Sequence, residues 1–385
     1  MRLRKVISKS DEDQFLTFPL ELYREDANYI RPLDKDILNV FNPEKNKYCK
    51  KDNNVRFLLY NEDGQVIGRV AAFIHPRVTK KGEKEGGMGF FECVDDQEAA
   101  NVLFDACRDW LKERGMQLMD GPINLGERDR WWGCLIDGFT EANYCINYNP
   151  PYYQKLFENY GFQIYFKQYT YGMPVKGKLS DRYAEKSKPI VDDAEYNFIN
   201  LQKKRFAEGV EAFRKIYNKA WVRHEGTAEL TSQQARALMK PLKAILDEDI
   251  AWFIFHKDEP IAFVFLLPEV NQWFKHLNGK FGMLQKLRIL WMKWRQTNRK
   301  MLGVAFGVVP EFQGKGMEAA LVYKCRISVD QLDRYDYFEM NWIGDFNPKM
   351  MRVAEETGGH IVKTHVTYRY LFNRDMAFER HPILT

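Results

Sequence analysis

The sequence predicts an α/β (α+β) protein assembled from two copies of one unit. Three observations carry that expectation. Short segments of the first half recur in the second, in the same order, at an offset of about 195 positions. An apolar strand over 304–309 runs through a glycine loop into a helix, and 96–114 has the periodicity of a long amphipathic helix.

The echoes define the elements. Phe57–Gly68 reads as an apolar strand, a polar turn and a second strand continuing to Ile74; Trp252–Ala262 repeats that layout and continues to Leu267. Leu22-Tyr23 and Ile216-Tyr217 occupy matching amphipathic stretches. Asn149-Pro150 precedes Gly161 by the interval at which Asn347-Pro348 precedes Gly359, and Thr170-Tyr171 parallels Thr367-Tyr368. Chance similarity of two strand-rich stretches would not keep that order. The expected domains are 1–180 and 190–385, joined by the polar run Lys176–Asp193. Each half reads as helices, a hairpin, a strand, a long helix, another strand, a helix and a closing strand pair. In the helix over 96–114, Asp95 and Glu98 fit a capping box. Ala99, Val102, Leu103, Ala106, Trp110 and Leu111 form its stripe, and Gly115 ends it. Its counterpart spans Met317 to Gln331.

At 385 residues, 45% of them hydrophobic, the chain exceeds one typical core and can fill two. No apolar run is long enough to span a membrane, and the charged start Met1-Arg-Leu-Arg-Lys5 lacks the apolar region of a secretion signal. The six cysteines show no Cys-x-x-Cys spacing, so reduced thiols in the cytoplasm are expected and no metal site. A net charge of +5 is too mild to imply nucleic acid.

The sharpest motif is Gln313-Gly-Lys-Gly316, after Val308-Val309-Pro310 and before a helix opening near Met317. Glycines there let successive N–H groups point into one concavity, the helix adds its positive end, and Lys315 adds a full charge: a cradle for a pyrophosphate. The same residues also suit an ordinary strand–turn–helix. The arrangement resembles the coenzyme-A loop of the GNAT (N-acetyltransferase) superfamily, Gln/Arg-x-x-Gly-x-Gly/Ala. Gln313 and Gly316 match; Glu318 stands where the family has Gly or Ala. The equivalent stretch of the first half, Val94–Glu98, has three carboxylates and no glycine, so acyl-CoA is expected in the second half only. Gly89–Cys93, Leu135–Phe139, Tyr148–Tyr153 and Gly161-Phe162 are similar to a group of tandem GNAT proteins with bacterial ceramide synthases among their relatives.

The resemblance implies a mixed, largely antiparallel sheet flanked by helices in each half, and direct attack of an amine on a thioester. It implies cofactor contacts from Val308, Val309, Gln313, Gly314, Lys315, Gly316 and Asn347, with oxyanion donors from the strand ending at Val309. The next strand, Tyr337–Asn341, would bring Glu339 as proton acceptor and Asn341 as orienting group, unless that face points to solvent. Ala354 holds the slot of the tyrosine acid that many GNATs carry. Tyr368, His360 and His365 are substitutes that also read as structural residues. The loop Gly121–Gly133, with Arg128, Asp129, Trp131 and Trp132, and the nearby Tyr148 and Asn149, read as an acceptor-binding loop or as a salt-bridged Ω-loop.

An insertion over 271–300 has no counterpart in the first half. It carries eight Lys/Arg and no Asp or Glu, interleaved with Trp and Leu. That pattern suits an anionic membrane surface, and equally a solvated arm, a dimer contact or a channel wall. The expected activity is N-acyl transfer from acyl-CoA to a small-molecule or lipid amine such as a sphingoid base, in the cytoplasm with peripheral contact at the inner membrane surface. The alternatives are an aminoacyl-tRNA-dependent transferase and a lipid or CoA sensor without catalysis. Acyl length, acceptor and oligomeric state stay open.

Overall fold

The computed structural model describes residues 1–78, 82–176, 181–221 and 229–384. The first half contributes β1 (Arg2–Lys5), α1 (Lys9–Leu22), α2 (Asp34–Val40), β2 (Asn54–Tyr60), β3 (Val66–Val78), β4 (Lys84–Cys93), α3 (Gln97–Lys112), β5 (Leu118–Gly121), β6 (Cys134–Asp137), α4 (Tyr153–Tyr160) and β7 (Gln163–Pro174). Then come α5 (Asp181–Val191), β8 (Tyr196–Asn200), α6 (Phe206–Trp221), α7 (Ser232–Met239), β9 (Ala251–His256) and β10 (Glu259–Pro268). The chain continues through α8 (Asn271–Phe274), α9 (Met283–Trp294), β11 (Lys300–Val308), α10 (Met317–Leu332), β12 (Tyr337–Gly344), α11 (Pro348–Glu356) and β13 (His360–Leu371). The boundary expected at residue 180 falls in 177–180, outside the described residues.

Among the described residues the strands form one mixed sheet, ordered β1-β2-β3-β4-β5-β13-β7-β12-β11-β10-β9-β8, with β6 on β13. The closing strands are exchanged. β13, from the second half, pairs antiparallel with β5 of the first (Tyr368 opposite Gly121), and β7 pairs antiparallel with β12 of the second (Tyr337 opposite Pro174). The closing pair expected within each half is therefore one long strand from each half, lying side by side at the centre. Strand-forming pattern announces a strand without naming its partner, because pairing is a long-range contact. Val366 and Tyr368 consequently fill the first half's core, beside Phe157 and Phe162.

β4 and β11 share a second device. Each runs parallel to its inner neighbour for a few residues only, Glu85–Gly87 on β5 and Lys300–Gly303 on β12. Each then carries a bulge, at Phe90 (φ +50) in β4 and at Val304 in β11, where Phe265 opposes Ala305 and Leu266 opposes Gly303. A bulge bends its strand and ends regular pairing, so both pairs splay.

α3 buries Ala99, Ala100, Leu103, Phe104, Cys107, Trp110 and Leu111; its cap is Asp96, which accepts from the Glu98 and Ala99 N–H groups, in place of the Asp95–Glu98 box. Within the polar run expected as a linker, Asp181–Val191 forms α5, which buries Tyr183, Ser187 and Ile190 and packs along α10. All six cysteines are buried and unpaired.

Candidate active site

The two splays differ in what fills them. In the first half, the chain after β5 closes the gap: the Ile123 N–H donates to the Met88 carbonyl at 2.8 Å, and a Cβ added to Gly89 would stand 1.8 Å from the Ile123 carbonyl. A cavity of about 60 Å³ remains, lined by Trp131, Tyr148, Asn149, Arg69 and Glu92 among others. In the second half the gap between β11 and β12 is open, about 370 Å³, and mostly apolar. Its walls include Gly303–Phe306 of β11, Phe338, Met340 and Asn341 of β12, Val322 and Glu318 of α10, and Tyr183 of α5.

The glycine loop lies where β11 leads into α10. Gly314 has φ +72 and Gly316, the residue before α10, has φ +89; no side chain caps the helix. Its first N–H groups are thus available to an anion, whereas those of α3 are taken by Asp96. Gly314 has no heavy atom within 4 Å of where a Cβ would stand, but a Cβ on Gly316 would lie 2.8 Å from the Lys186 carbonyl of α5. Gly314 is therefore the open face of the loop, and Gly316 is its seat against α5. Gln313 turns inward, its Nε2 donating to the Val308 carbonyl at 3.1 Å, and the exposed Lys315 lies over Phe312 at 5.2 Å. The Val309 N–H is spent on the Ile261 carbonyl at 2.9 Å; Val308 then directs its N–H and C=O away from β10 by strand alternation. Of Val308 and Val309 at the end of the strand expected to supply the oxyanion donors, only Val308 has its N–H free of β10. Asn347 caps α11, accepting from the Met350 N–H at 3.2 Å.

Glu339 and Asn341 share the face of β12 that turns from α10 toward the first-half segment between β6 and α4. Asn341 lines the cleft; Glu339 lies behind it, 3% exposed, in a cage of charge. Lys300 Nζ stands 2.7 Å from its Oε1 and Lys363 Nζ 3.2 Å from its Oε2, to which Asn143 Nδ2 also donates at 2.6 Å. The same Asn143 nitrogen donates to Asn341 Oδ1 at 2.9 Å. Burial pushes the Glu339 carboxyl up, but the charges of Lys363 and Lys300 outweigh it and hold the group below its ordinary value. Burial holds Lys363 below its own. Close by, Glu269 follows β10 and accepts from the Tyr144 N–H at 2.8 Å; burial pushes its carboxyl up to about 7. A carboxylate saturated by two lysines is a poor proton acceptor, and one near neutrality is a good one. Asn143, Glu269, Lys300 and Lys363 escaped the sequence reading. Lys300 counted there only as one of the insertion's cations, and nothing local marks Lys363 as buried.

The other expected residues lie elsewhere. Tyr368 is fully buried in the first half, stacked on Phe157 at 5.2 Å with its OH donating to Glu158 at 3.0 Å, and is not a wall of the open cleft. Strand exchange carries it there. His365 is also buried, held near 4 by burial, with Nε2 2.9 Å from the Asn147 carbonyl; His360 is exposed at the start of β13. Trp131 and Trp132 pack inward, Arg128 lies over Phe166 at 5.2 Å, and Asp129 is exposed beside Arg130. Tyr148 donates to Asp26 at 2.7 Å, and Asn149 bonds both backbone groups of Leu135. Trp131, Tyr148 and Asn149 meet around the small first-half cavity, away from the loop Gln313–Gly316. Among the described residues no group of His, Cys, Asp or Glu could hold a metal ion.

Solved structures share this architecture. The tandem GNAT protein of the clavulanic acid biosynthesis pathway superposes with a TM-score of 0.54, covering 96% of this chain and 98% of that one at 9% identity. The chain has the tandem GNAT fold. The GCN5-related glucosamine N-acetyltransferase region of a fungal multi-domain β-N-acetylglucosaminidase superposes at 0.56 with 12% identity, covering 96% of this chain and 38% of that protein. In sequence, the chain is 27% identical over 363 residues to the bacterial ceramide synthase of Caulobacter vibrioides, covering 92% of this chain and 93% of that protein. It is 26% identical over 385 residues to protein YghO of Escherichia coli, covering 95% and 94%. No family model matches. Within the GNAT fold, the open splay of the second half and the closed splay of the first make the two copies unequal.

The insertion has a base and an arm. Its base packs on the first half: Lys275 pairs with Glu141 at 2.9 Å, Phe274 meets Tyr144 edge-on, and Lys35 lies over Phe281 at 3.5 Å. The arm is α9, which anchors through Met292 and leaves Met283, Leu284, Leu287, Leu290, Trp291 and Trp294 more than half exposed. Those positions form one helical face. Of the eight cations, Lys275, Arg299 and Lys300 pair with Glu141, Asp336 and Glu339; Lys280, Lys286, Arg288 and Arg295 stay exposed and make no ion pair among the described residues. No helix among the described residues is long and apolar enough to cross a membrane.

Proposed function

We propose that this chain is an acyl-CoA-dependent N-acyltransferase whose acceptor is a hydrophobic amine, of the sphingoid-base type, presented at a membrane surface. The open splay between β11 and β12 beside an uncapped helix N-terminus carries the reading. An apolar slot of about 370 Å³ suits a pantetheine arm and acyl chain, and the N–H groups of Gly314, Gly316 and the uncapped start of α10 suit the diphosphate. Val308 N–H then faces a developing oxyanion. The halves 1–180 and 190–385 are read as duplicates, the first having closed its own splay to become support. The name of the Caulobacter relative, ceramide synthase, accords with N-acylation of a lipid amine. The exposed face of α9 and the insertion's four exposed cations without an ion pair among the described residues, Lys280, Lys286, Arg288 and Arg295, support peripheral contact with an anionic bilayer at the inner surface of the cell membrane. A tRNA donor needs no pyrophosphate cradle.

A second reading, a CoA or lipid sensor without catalysis, draws on the buried Ala354 where a tyrosine acid is expected and on Glu318 at the cleft wall. One experiment separates the readings. Calorimetry with CoA should show binding, and mass spectrometry should show an amide product from palmitoyl-CoA and sphinganine; binding without product supports the sensor, and no CoA binding refutes the transferase and the CoA sensor alike.

A further inference from the structure

Two acceptor oxygens lie buried without a donor behind the cleft-lining Asn341. Asn143 is 1% exposed, and its Nδ2 is shared between Glu339 and Asn341, which fixes the amide's orientation and leaves Oδ1 with no partner. Glu269, also 1% exposed, uses Oε1 to accept from the Tyr144 and Asn271 N–H groups, and its Oε2 has no partner. The two residues are neighbours because the backbone of Tyr144, next after Asn143, holds the Glu269 carboxylate. Buried acceptors left unpaired are costly, and a bound group that donates to them repays that cost. The group required is rich in N–H and needs no acceptor of its own.

We propose that Asn143 and Glu269 form the subsite for a primary amine, so that the first half completes the second half's site. The proposal rests on the N-acyltransferase reading and names its acceptor subsite. The amine's N–H groups donate to Asn143 Oδ1 and Glu269 Oε2 beside Asn341. Glu269 faces Lys300 of β11, Glu339 of β12 and Lys363 of β13. Both lysine charges disfavour an incoming ammonium relative to the free amine, the form that attacks a thioester. The ammonium's proton passes to the Glu269 carboxylate, giving the neutral amine and a carboxylic acid. That exchange balances in charge, and burial has already brought Glu269 to about 7.

Dodecylamine is the probe, titrated by calorimetry into the full chain with and without CoA, alongside Asn143→Ala and Glu269→Gln. Each variant is expected to bind CoA as the wild type does and to lose amine affinity by at least about tenfold, the scale of one hydrogen bond to a charged group. In turnover, Glu269→Gln should raise KM for the amine and flatten the pH profile around neutrality, changes that a purely structural role would not produce. Equal amine affinity in wild type and variants, or a wild type that binds CoA but no amine, overturns the proposal. Absence of CoA binding would count against the donor reading alone, since the CoA-free titration still reads the subsite. If Asn143→Ala does not fold, the isosteric Glu269→Gln carries the comparison.

Discussion

Gly314→Ala tests the donor site with the least collateral damage. A Cβ there meets nothing within 4 Å, so the cost to folding is the left-handed backbone at φ +72, about 1 kcal/mol. With the two halves joined by exchanged strands taken to unfold together, 385 residues at about 2.1 cal/mol/K each give an unfolding entropy of about 0.8 kcal/mol/K. The melting temperature should therefore fall by only about 1–2 °C. The methyl group, however, stands in the diphosphate's approach to the loop and removes a charge-assisted hydrogen bond, about 1.5–3 kcal/mol, or roughly 10- to 150-fold in Kd. Gly316→Val, the substitution the motif alone suggests, would confuse the two effects, because its side chain collides with the Lys186 carbonyl 2.8 Å away. Calorimetric titration of CoA, with a thermal melt of each protein, reads both quantities. Unchanged CoA affinity in a folded Gly314→Ala protein would refute the assignment of this loop to the diphosphate.

Three further outcomes are expected. Replacing Trp291 and Trp294 of α9 by Ala should abolish sedimentation with phosphatidylserine vesicles. At 57% and 75% exposed, with about 150–250 Å² each to bury at about 25 cal/mol/Å², the pair is worth at most about 5–8 kcal/mol of insertion; equal sedimentation of variant and wild type would exclude a membrane role for this face. Glu339→Gln removes the carboxylate with which Lys300 and Lys363 both pair and should cost about 3–5 kcal/mol, a loss of about 4–6 °C in melting temperature. Because Glu339 is held below its ordinary value, that stability is present at neutral pH and is lost as acid takes the protein below about 4.5, the usual glutamate value. Glu269, raised by burial to about 7, has the opposite sign: its contribution is full below its unfolded value and lost as pH rises through 7. Glu269→Gln should then stand above wild type in urea stability at alkaline pH by up to about 3 kcal/mol, with the gap closing toward acid; a gap independent of pH would contradict the burial argument.

Much of this molecule was legible along the chain because the deciding contacts are between sequence neighbours. The stripe of α3, its acidic cap and the terminating Gly115 lie within one helix. The turn from β11 into α10 needs glycines at 314 and 316 whatever surrounds it, and the ordered echoes between halves survive because each unit repeats its own local chemistry. Which helix start is left open is local too: Asp96 caps α3, while no side chain caps α10. The partners of the closing strands were not legible. Thr170-Tyr171 and Thr367-Tyr368 look alike in sequence, and only the exchange of β7 and β13 sends Tyr368 into the first half's core and Lys363 beneath Glu339. The facing of β12 shows the same division: alternation puts Glu339 and Asn341 on one side, but the strand cannot say that Asn143, almost two hundred residues earlier, waits there. Local propensity and periodicity specify the elements; long-range pairing, which has no signature at either partner alone, decides which side chains meet in the site.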